Sequence, residues 1–159
     1  MGYTHYWHRP VDLDPAKFAS AVDDATELLL DLPPLFGGDG FGESEFKPDG
    51  VCFNGDESRG EGHETFHIPL KFEGWDSHPE RPMKFAFCKT ARKPYDLAVM
   101  ATLLVFKHHF GDGFTVSSDG DLEDWQPAID LVDRVLGYGS EWAFDREGDR
   151  GLVETAKAS

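Results

Sequence analysis

The stretch from Cys88 to Asp96 combines cationic, hydroxyl and aromatic side chains at the junction between a predicted strand and a predicted helix. A helix N-terminus offers unpaired backbone N–H groups and the positive end of the helix dipole, and both favour a bound anion. Arginine can hold a phosphate through two parallel hydrogen bonds, and a neighbouring lysine adds positive charge. The sequence therefore predicts an anion site whose ligands are Lys89, Thr90, Arg92, Lys93 and Tyr95.

Aromatic residues near the start of the chain are suited to stack on a base or a sugar. Tyr6 and Trp7 belong to a predicted strand, and either ring would cover a base bound at the cationic loop. Two plainer interpretations stay open. Aromatic side chains on a strand commonly belong to the core, and the cations of the loop could simply pair with surrounding carboxylates.

The string from His63 to His67 matches the H-E-x-x-H pattern of zinc peptidases, which needs both histidines on one face of a helix. Thr65 and Phe66 favour a strand instead, in which residues four apart are separated by roughly 13 Å. One ion cannot bridge that distance, so the match is interpreted as coincidental. His5 and His67 are candidate metal ligands together with carboxylates from elsewhere, although no local spacing demands a metal.

The cysteines fit no catalytic pattern. Pro94 stands where a C-x5-R phosphatase loop beginning at Cys88 would need arginine, so Cys88 is interpreted as a small buried hydrophobe. With Cys52 as the only other cysteine, the chain cannot form the multi-bridge framework of a small secreted domain. The acidic turn over residues 119–124 lacks EF-hand spacing and is interpreted as helix capping.

Three helices are predicted to position these residues. The first has Asp14 as its N-cap and Pro15 as its first residue, and its apolar stripe continues to Leu32. The second runs from Pro94 to about Phe110 with little polar surface in its middle, which is typical of a buried central helix. The third covers residues 124–136 and ends at a glycine.

Five strands are predicted, over residues 3–9, 51–53, 64–70, 85–90 and 114–117. The resulting order is β-α-β-β-β-α-β-α. It favours a single α+β domain with a mostly antiparallel or mixed sheet and helices packed on one face. The domain is expected to span residues 1–148, with loop-rich stretches at 35–62 and 75–82, and residues 149–159 are expected to form a loosely attached tail.

The charge is unevenly distributed. Among 159 residues, 30 are acidic and 15 basic, a formal net charge of −15. Residues 81–110 are formally +5, so the remainder carries −20. That negative field argues against direct binding to nucleic acid or to an anionic membrane. The longest apolar run, 97–106, is too short to span a bilayer, and without a visible secretory signal a cytoplasmic location is expected. Adaptation to high salt would also explain the acidity.

Three segments resemble a family of small uncharacterised proteins from bacterial and phage genomes. They are MGYTHYW at the start, FCKTARKPYDLAV in the middle, and VSSDG followed by DW. The resemblance covers most of the chain and implies an accessory, phage-borne role in the host cytoplasm. It supplies no activity, cofactor or site residue that can be transferred.

The leading hypothesis is an accessory protein that binds a small anionic ligand, such as a nucleotide, at the cationic loop. A first alternative is an acidic DNA mimic or other inhibitor, which would bind a protein partner through its acidic surface. A second is a metal-dependent hydrolase that uses His5 and His67. No cofactor is identified, and no complete catalytic set of residues indicates an enzyme.

Overall fold

The computed structural model describes residues 3–140, 142–145 and 151–154, and in these residues helices are interspersed among runs of strands. In chain order the elements are β1 (Thr4–Pro10), α1 (Pro15–Glu27), β2 (Glu45–Lys47), β3 (Gly50–Phe53), β4 (Phe66–Pro69), β5 (Met83–Lys89), α2 (Asp96–Phe110), β6 (Thr115–Ser118), α3 (Leu122–Leu136), β7 (Trp142–Asp145) and β8 (Gly151–Glu154). The fold is α+β, which confirms the predicted class.

The central sheet has the strand order β5-β1-β6, with both pairs antiparallel. In its register, His5 of β1 lies opposite Cys88 of β5 and Ser118 of β6. Because side chains alternate between the two faces of a strand, His5 and Trp7 point to the core while Tyr6 and His8 point away from it. His5 therefore has its partners on the core face of the sheet, whereas Tyr6 and His8 have theirs on the outward face.

A second antiparallel sheet has the order β2-β3-β4, and a hairpin joins β7 to β8. Buried Arg9 connects the second sheet to the central one, since its guanidinium donates to the carbonyls of Pro69 and Leu70. Burial lowers the pKa of Arg9 to about 10, a value at which the side chain is still charged at neutral pH. The guanidinium therefore acts as a structural crosslink between the sheets.

The core is organised around α2, whose middle residues are buried on all sides as predicted. On one side Phe106 packs edge-to-face against Phe18 of α1, with ring centroids 5.2 Å apart. Buried residues of α3, among them Trp125 and Val132, belong to the same core. None of the helices among the described residues combines the length and apolar composition needed to cross a membrane.

Several element boundaries differ from the predictions for local reasons. The α1 helix ends at Glu27, before the end of its apolar stripe, and Leu28–Asp31 continue as a 3-10 helix. The α2 helix begins at Asp96 instead of Pro94, because the preceding residues form a turn in which the Asp96 N–H donates to the Lys93 carbonyl.

The predicted strand over 64–70 is shorter, because Glu64 and Thr65 hydrogen-bond to other segments and only Phe66–Pro69 pair as β4. Sequence patterns missed β2, β7 and β8 altogether. Within the predicted tail, Gly151–Glu154 pair with β7, whereas residues 149–150 and 155–159 lie outside the described part of the chain.

Candidate functional site

The loop between β5 and α2 has a strained backbone. Ala91 and Arg92 both adopt left-handed conformations, with φ of 52° and 58°. For residues with a Cβ this region costs roughly 1–2 kcal/mol each. Backbone hydrogen bonds hold the loop in place: the Thr90 N–H donates to the Tyr3 carbonyl, and the Lys93 N–H donates to the Thr90 carbonyl, both at 3.0 Å. The fold therefore fixes the shape of this loop.

Most of the predicted anion ligands in this loop have partners inside the protein. The Thr90 hydroxyl donates to the Asp96 carboxylate at 2.5 Å, and the Lys93 ammonium donates to the Gly60 carbonyl at 3.0 Å. Tyr95 is buried, and its hydroxyl donates to a backbone carbonyl at 2.6 Å. These groups stabilise the loop and do not point together towards an open cradle.

Arg92 is also engaged, although its side chain is exposed. Its guanidinium donates to the Asp124 carboxylate at 3.0 Å and lies over the Tyr3 ring, 3.9 Å from the ring centroid. The pKa of Asp124 is lowered mainly by the hydrogen bond from the Asp121 backbone N–H, and next by the hydrogen bond from Arg92. Of the five predicted loop ligands, Lys89 stands at the exposed end of β5. The plainer interpretation was that cations of the loop pair with surrounding carboxylates, and the Arg92–Asp124 pair agrees with it.

The two aromatic residues predicted to cover a base lie on opposite faces of β1. Trp7 is buried and packs against Phe66, with ring centroids 5.3 Å apart. The prediction that Trp7 covers a surface ligand is therefore wrong, because its ring faces the core. Tyr6 points outward, donates to the Asp119 carboxylate at 3.0 Å and stacks on Phe85.

His5 and His67, the candidate metal ligands, do not converge. His5 is fully buried at the central sheet, where Nε2 lies 2.7 Å from the Asp96 carboxylate and Nδ1 lies 2.8 Å from the Ser118 hydroxyl. His67 is exposed on β4 of the second sheet. His63 precedes β4, so the H-E-x-x-H string is not helical, as predicted. Among the described residues, no group of three or more metal-ligating side chains comes together.

The structure instead contains a groove that sequence reasoning missed, on the outward face of β1 and β5. Its volume is about 330 Å³. The lining is mainly aromatic and basic and includes His8, Phe72, Trp75, His78, Arg81 and Phe85. Trp75 is 86% exposed and Phe85 50% exposed, although both are large apolar side chains. Contiguous exposed aromatic surface of this kind is typical of binding sites.

The electrostatics of this groove favour an anionic ligand. Within the part of the chain that the structure describes, the Arg81 guanidinium forms neither an ion pair nor a hydrogen bond. The one carboxylate in the lining, Asp76, is paired with Lys84 at 2.6 Å, and that hydrogen bond is the main reason for its lowered pKa. Burial, and then the nearby Arg81 charge, lower the pKa of His8, which favours its neutral form.

A weak signal for the groove is present in the sequence. Phe85 and Phe87 alternate with Ala86 and Cys88, which indicates a strand but leaves open which side faces the core. Pairing with β1 turns Cys88 inward and leaves both phenylalanines outside. Trp75, placed in a polar loop, is the other clue.

Comparison with models of protein families, with curated proteins and with solved structures finds no match for this chain.

Proposed function

We propose that this protein binds a nucleotide in the groove, with the base on the exposed aromatic rings and the phosphate on Arg81. The observation that carries the proposal is the coincidence, in one groove, of exposed aromatic rings and an arginine without a partner among the described residues. The proposal keeps the ligand class expected from the sequence and moves the site from the cationic loop to the groove.

The size and lining of the groove suit a small planar ligand. Ligand pockets typically enclose about 300–1,000 Å³, and a groove of about 330 Å³ lies at the small end of that range. Stacking of one base on an aromatic side chain is worth about 1–3 kcal/mol. Trp75 and Phe85 supply such rings, and both are already exposed, so a ligand would bury them without displacing core residues.

The overall charge does not prevent this binding. At physiological salt, charges separated by more than about 8 Å are largely screened. A phosphate in the groove would therefore respond mainly to the nearest charges. These are Arg81, Asp76, whose charge is balanced by Lys84, and Glu80, whose carboxylate lies 3.4 Å from Nδ1 of His78. A hydrogen bond to a charged group is worth about 1.5–3 kcal/mol, which corresponds to about a tenfold change in affinity or more.

Thermal unfolding tests the proposal with three probes: adenosine monophosphate, adenosine and inorganic phosphate. The monophosphate should raise the melting temperature most, since it alone carries both ring and charge. In Arg81→Gln its affinity should fall by about tenfold or more, to about that of adenosine.

Arg134→Gln is the matched control, because Arg134 is an exposed arginine on α3, outside the groove lining. This variant should bind the monophosphate as the wild type does. Equal stabilisation of wild type and Arg81→Gln by the monophosphate would contradict the proposed phosphate contact.

A further inference from the structure

A chain of hydrogen bonds crosses the end of the central sheet, away from the aromatic groove. The Ser118 hydroxyl lies 2.8 Å from Nδ1 of His5, and Nε2 of His5 lies 2.7 Å from the Asp96 carboxylate. The Thr90 hydroxyl donates to the same carboxylate oxygen. His5 is fully buried, whereas Ser118 is partly exposed at the end of β6.

The direction of these hydrogen bonds depends on which ring nitrogen of His5 carries the proton. A carboxylate only accepts hydrogen bonds, so Nε2 of His5 carries a proton and donates it to Asp96. The backbone N–H of Gly120 donates to the Ser118 oxygen at 2.9 Å. In the neutral tautomer that is protonated on Nε2, Nδ1 has a free lone pair that can accept the hydroxyl proton of Ser118. In that tautomer the hydrogen bonds run from Ser118 to His5 to Asp96.

Two further observations indicate that the corner of the fold around Ser118, His5 and Asp96 does more than fill the core. The buried Tyr3 hydroxyl lies beside Ser118 in the same corner. It lies against Gly120, where an added Cβ would be only 2.2 Å from the hydroxyl oxygen. The strained residues Ala91 and Arg92 lie in the same corner, since Arg92 covers the Tyr3 ring. Backbone strain of this kind is concentrated at functional sites.

The geometry points to Ser118 as a nucleophile that attacks an ester, with His5 as its general base and Asp96 as the group that orients His5. A serine activated by an imidazole, which is held in turn by a carboxylate, is the arrangement of nucleophilic hydrolases. The two ring nitrogens are exchanged relative to serine proteases, in which Nε2 takes the serine proton. To act as a general base, His5 needs a ring nitrogen with a free lone pair, and Nδ1 provides it when Nε2 carries the proton.

The step balances as follows for a carboxylic ester and water. The Ser118 oxygen bonds to the carbonyl carbon while its proton moves to Nδ1 of His5. The bond from that carbon to the alcohol oxygen breaks, and the leaving alcohol takes the proton back from Nδ1. Water then cleaves the acylated Ser118 by the same two proton transfers.

Reaction of the full-length protein with diisopropyl fluorophosphate tests this nucleophile directly. Attack by Ser118 forms an oxygen–phosphorus bond, releases fluoride and transfers the serine proton to His5. Intact-mass measurement and peptide mapping should find one adduct, on Ser118, and none in Ser118→Ala. His5→Gln should slow the labelling by about 100-fold or more, the usual contribution of a general base.

Ser117→Ala is the matched control, because Ser117 is the neighbouring serine on the other face of β6 and should not affect labelling. Circular dichroism establishes that each variant is folded. If folded wild-type protein acquires no adduct on Ser118, or an adduct on another residue only, the proposal is overturned whether or not His5→Gln folds. Equal labelling rates in wild type and folded His5→Gln would overturn the role of His5.

Discussion

Tyr6 stacks on Phe85 across the β1–β5 pair, with ring centroids 6.0 Å apart, on the face of the central sheet turned away from the core. Phe85 in turn stacks on Phe87 at 5.8 Å and contacts His8 at 5.2 Å. These contacts join single exposed rings into one continuous aromatic surface. Phe85 lies at its centre and also lines the groove, so it should contribute more to binding than to stability.

Replacement of Phe85 by alanine should therefore separate binding from folding. Because the ring is about half exposed, we expect the free energy of unfolding in urea to fall by no more than about 1 kcal/mol. Affinity for adenosine monophosphate should fall by about tenfold, the lower part of the range for one stacked base. Phe41→Ala is the control, since Phe41 is similarly exposed, at 53%, but does not line the groove. Equal affinity losses in the two variants would contradict a specific role for Phe85.

The Lys84–Asp76 ion pair should make the groove sensitive to acid. Lys84 is buried, and its ammonium contacts Asp76 and the carbonyl of Pro79, so it holds the loop that carries Trp75. The hydrogen bond from Lys84 lowers the pKa of Asp76 below its ordinary value of 3.8. The stability that ionised Asp76 contributes is therefore fully present above pH 3.8, its pKa in the unfolded chain. It is lost as the pH falls through the lower pKa of Asp76 in the folded protein.

Asp76→Asn should lower the melting temperature at pH 7, because buried Lys84 loses its counter-charge. The difference in melting temperature between variant and wild type should shrink as the pH falls below about 3.8. Thermal scans of both proteins from pH 7 to pH 2.5 check this. A difference that stays constant across the range would show that ionised Asp76 does not stabilise the fold.

Gly120→Ala should be destabilising because of a close approach and not because of backbone conformation. An added Cβ would lie 2.2 Å from the Tyr3 hydroxyl oxygen and 3.1 Å from the Asp124 Cβ. Overpacking of this kind costs about 1–3 kcal/mol. Urea unfolding should show that loss, whereas Gly113→Ala, which meets no atom within 4 Å, should be nearly neutral. Equal stability of the two variants would mean that Tyr3 can move away without cost.

Ala91→Gly should stabilise the protein. At φ 52° the alanine pays roughly 1–2 kcal/mol that glycine does not, while glycine gains about 0.4–1 kcal/mol of freedom in the unfolded chain. The difference between these two free energies favours the variant by up to about 1.6 kcal/mol. Urea unfolding measures it, and a loss of stability would show that the left-handed conformation is not strained at this position.

The helices were predictable because their signals are local. The Asp14 cap followed by Pro15 places the start of α1 correctly, and the apolar middle of α2 indicates its burial. The end of α1 was not predictable from the apolar stripe, since Leu28 is buried in a 3-10 helix while Leu30 is almost fully exposed. Which leucine faces the core depends on contacts distant in sequence.

Both sites depend on such distant contacts. His5 hydrogen-bonds to Asp96 and Ser118, which are 91 and 113 residues away in sequence. No motif spacing could therefore have indicated this chain of hydrogen bonds. The outward orientation of Phe85 likewise depends on the register between β5 and β1. In the cationic loop the residue types were recognised correctly, but their internal partners, such as Asp124 for Arg92, come from another element.

Tryptophan fluorescence during a titration with adenosine monophosphate is the most direct measurement of binding in the groove. Trp7, Trp125 and Trp142 are buried, so Trp75 is the exposed tryptophan and dominates quenching by acrylamide. We predict saturable protection of Trp75 from acrylamide that is absent in Trp75→Phe and at least tenfold weaker in Arg81→Gln. Acrylamide quenching of Trp75 that is unchanged at every nucleotide concentration would contradict nucleotide binding at this site.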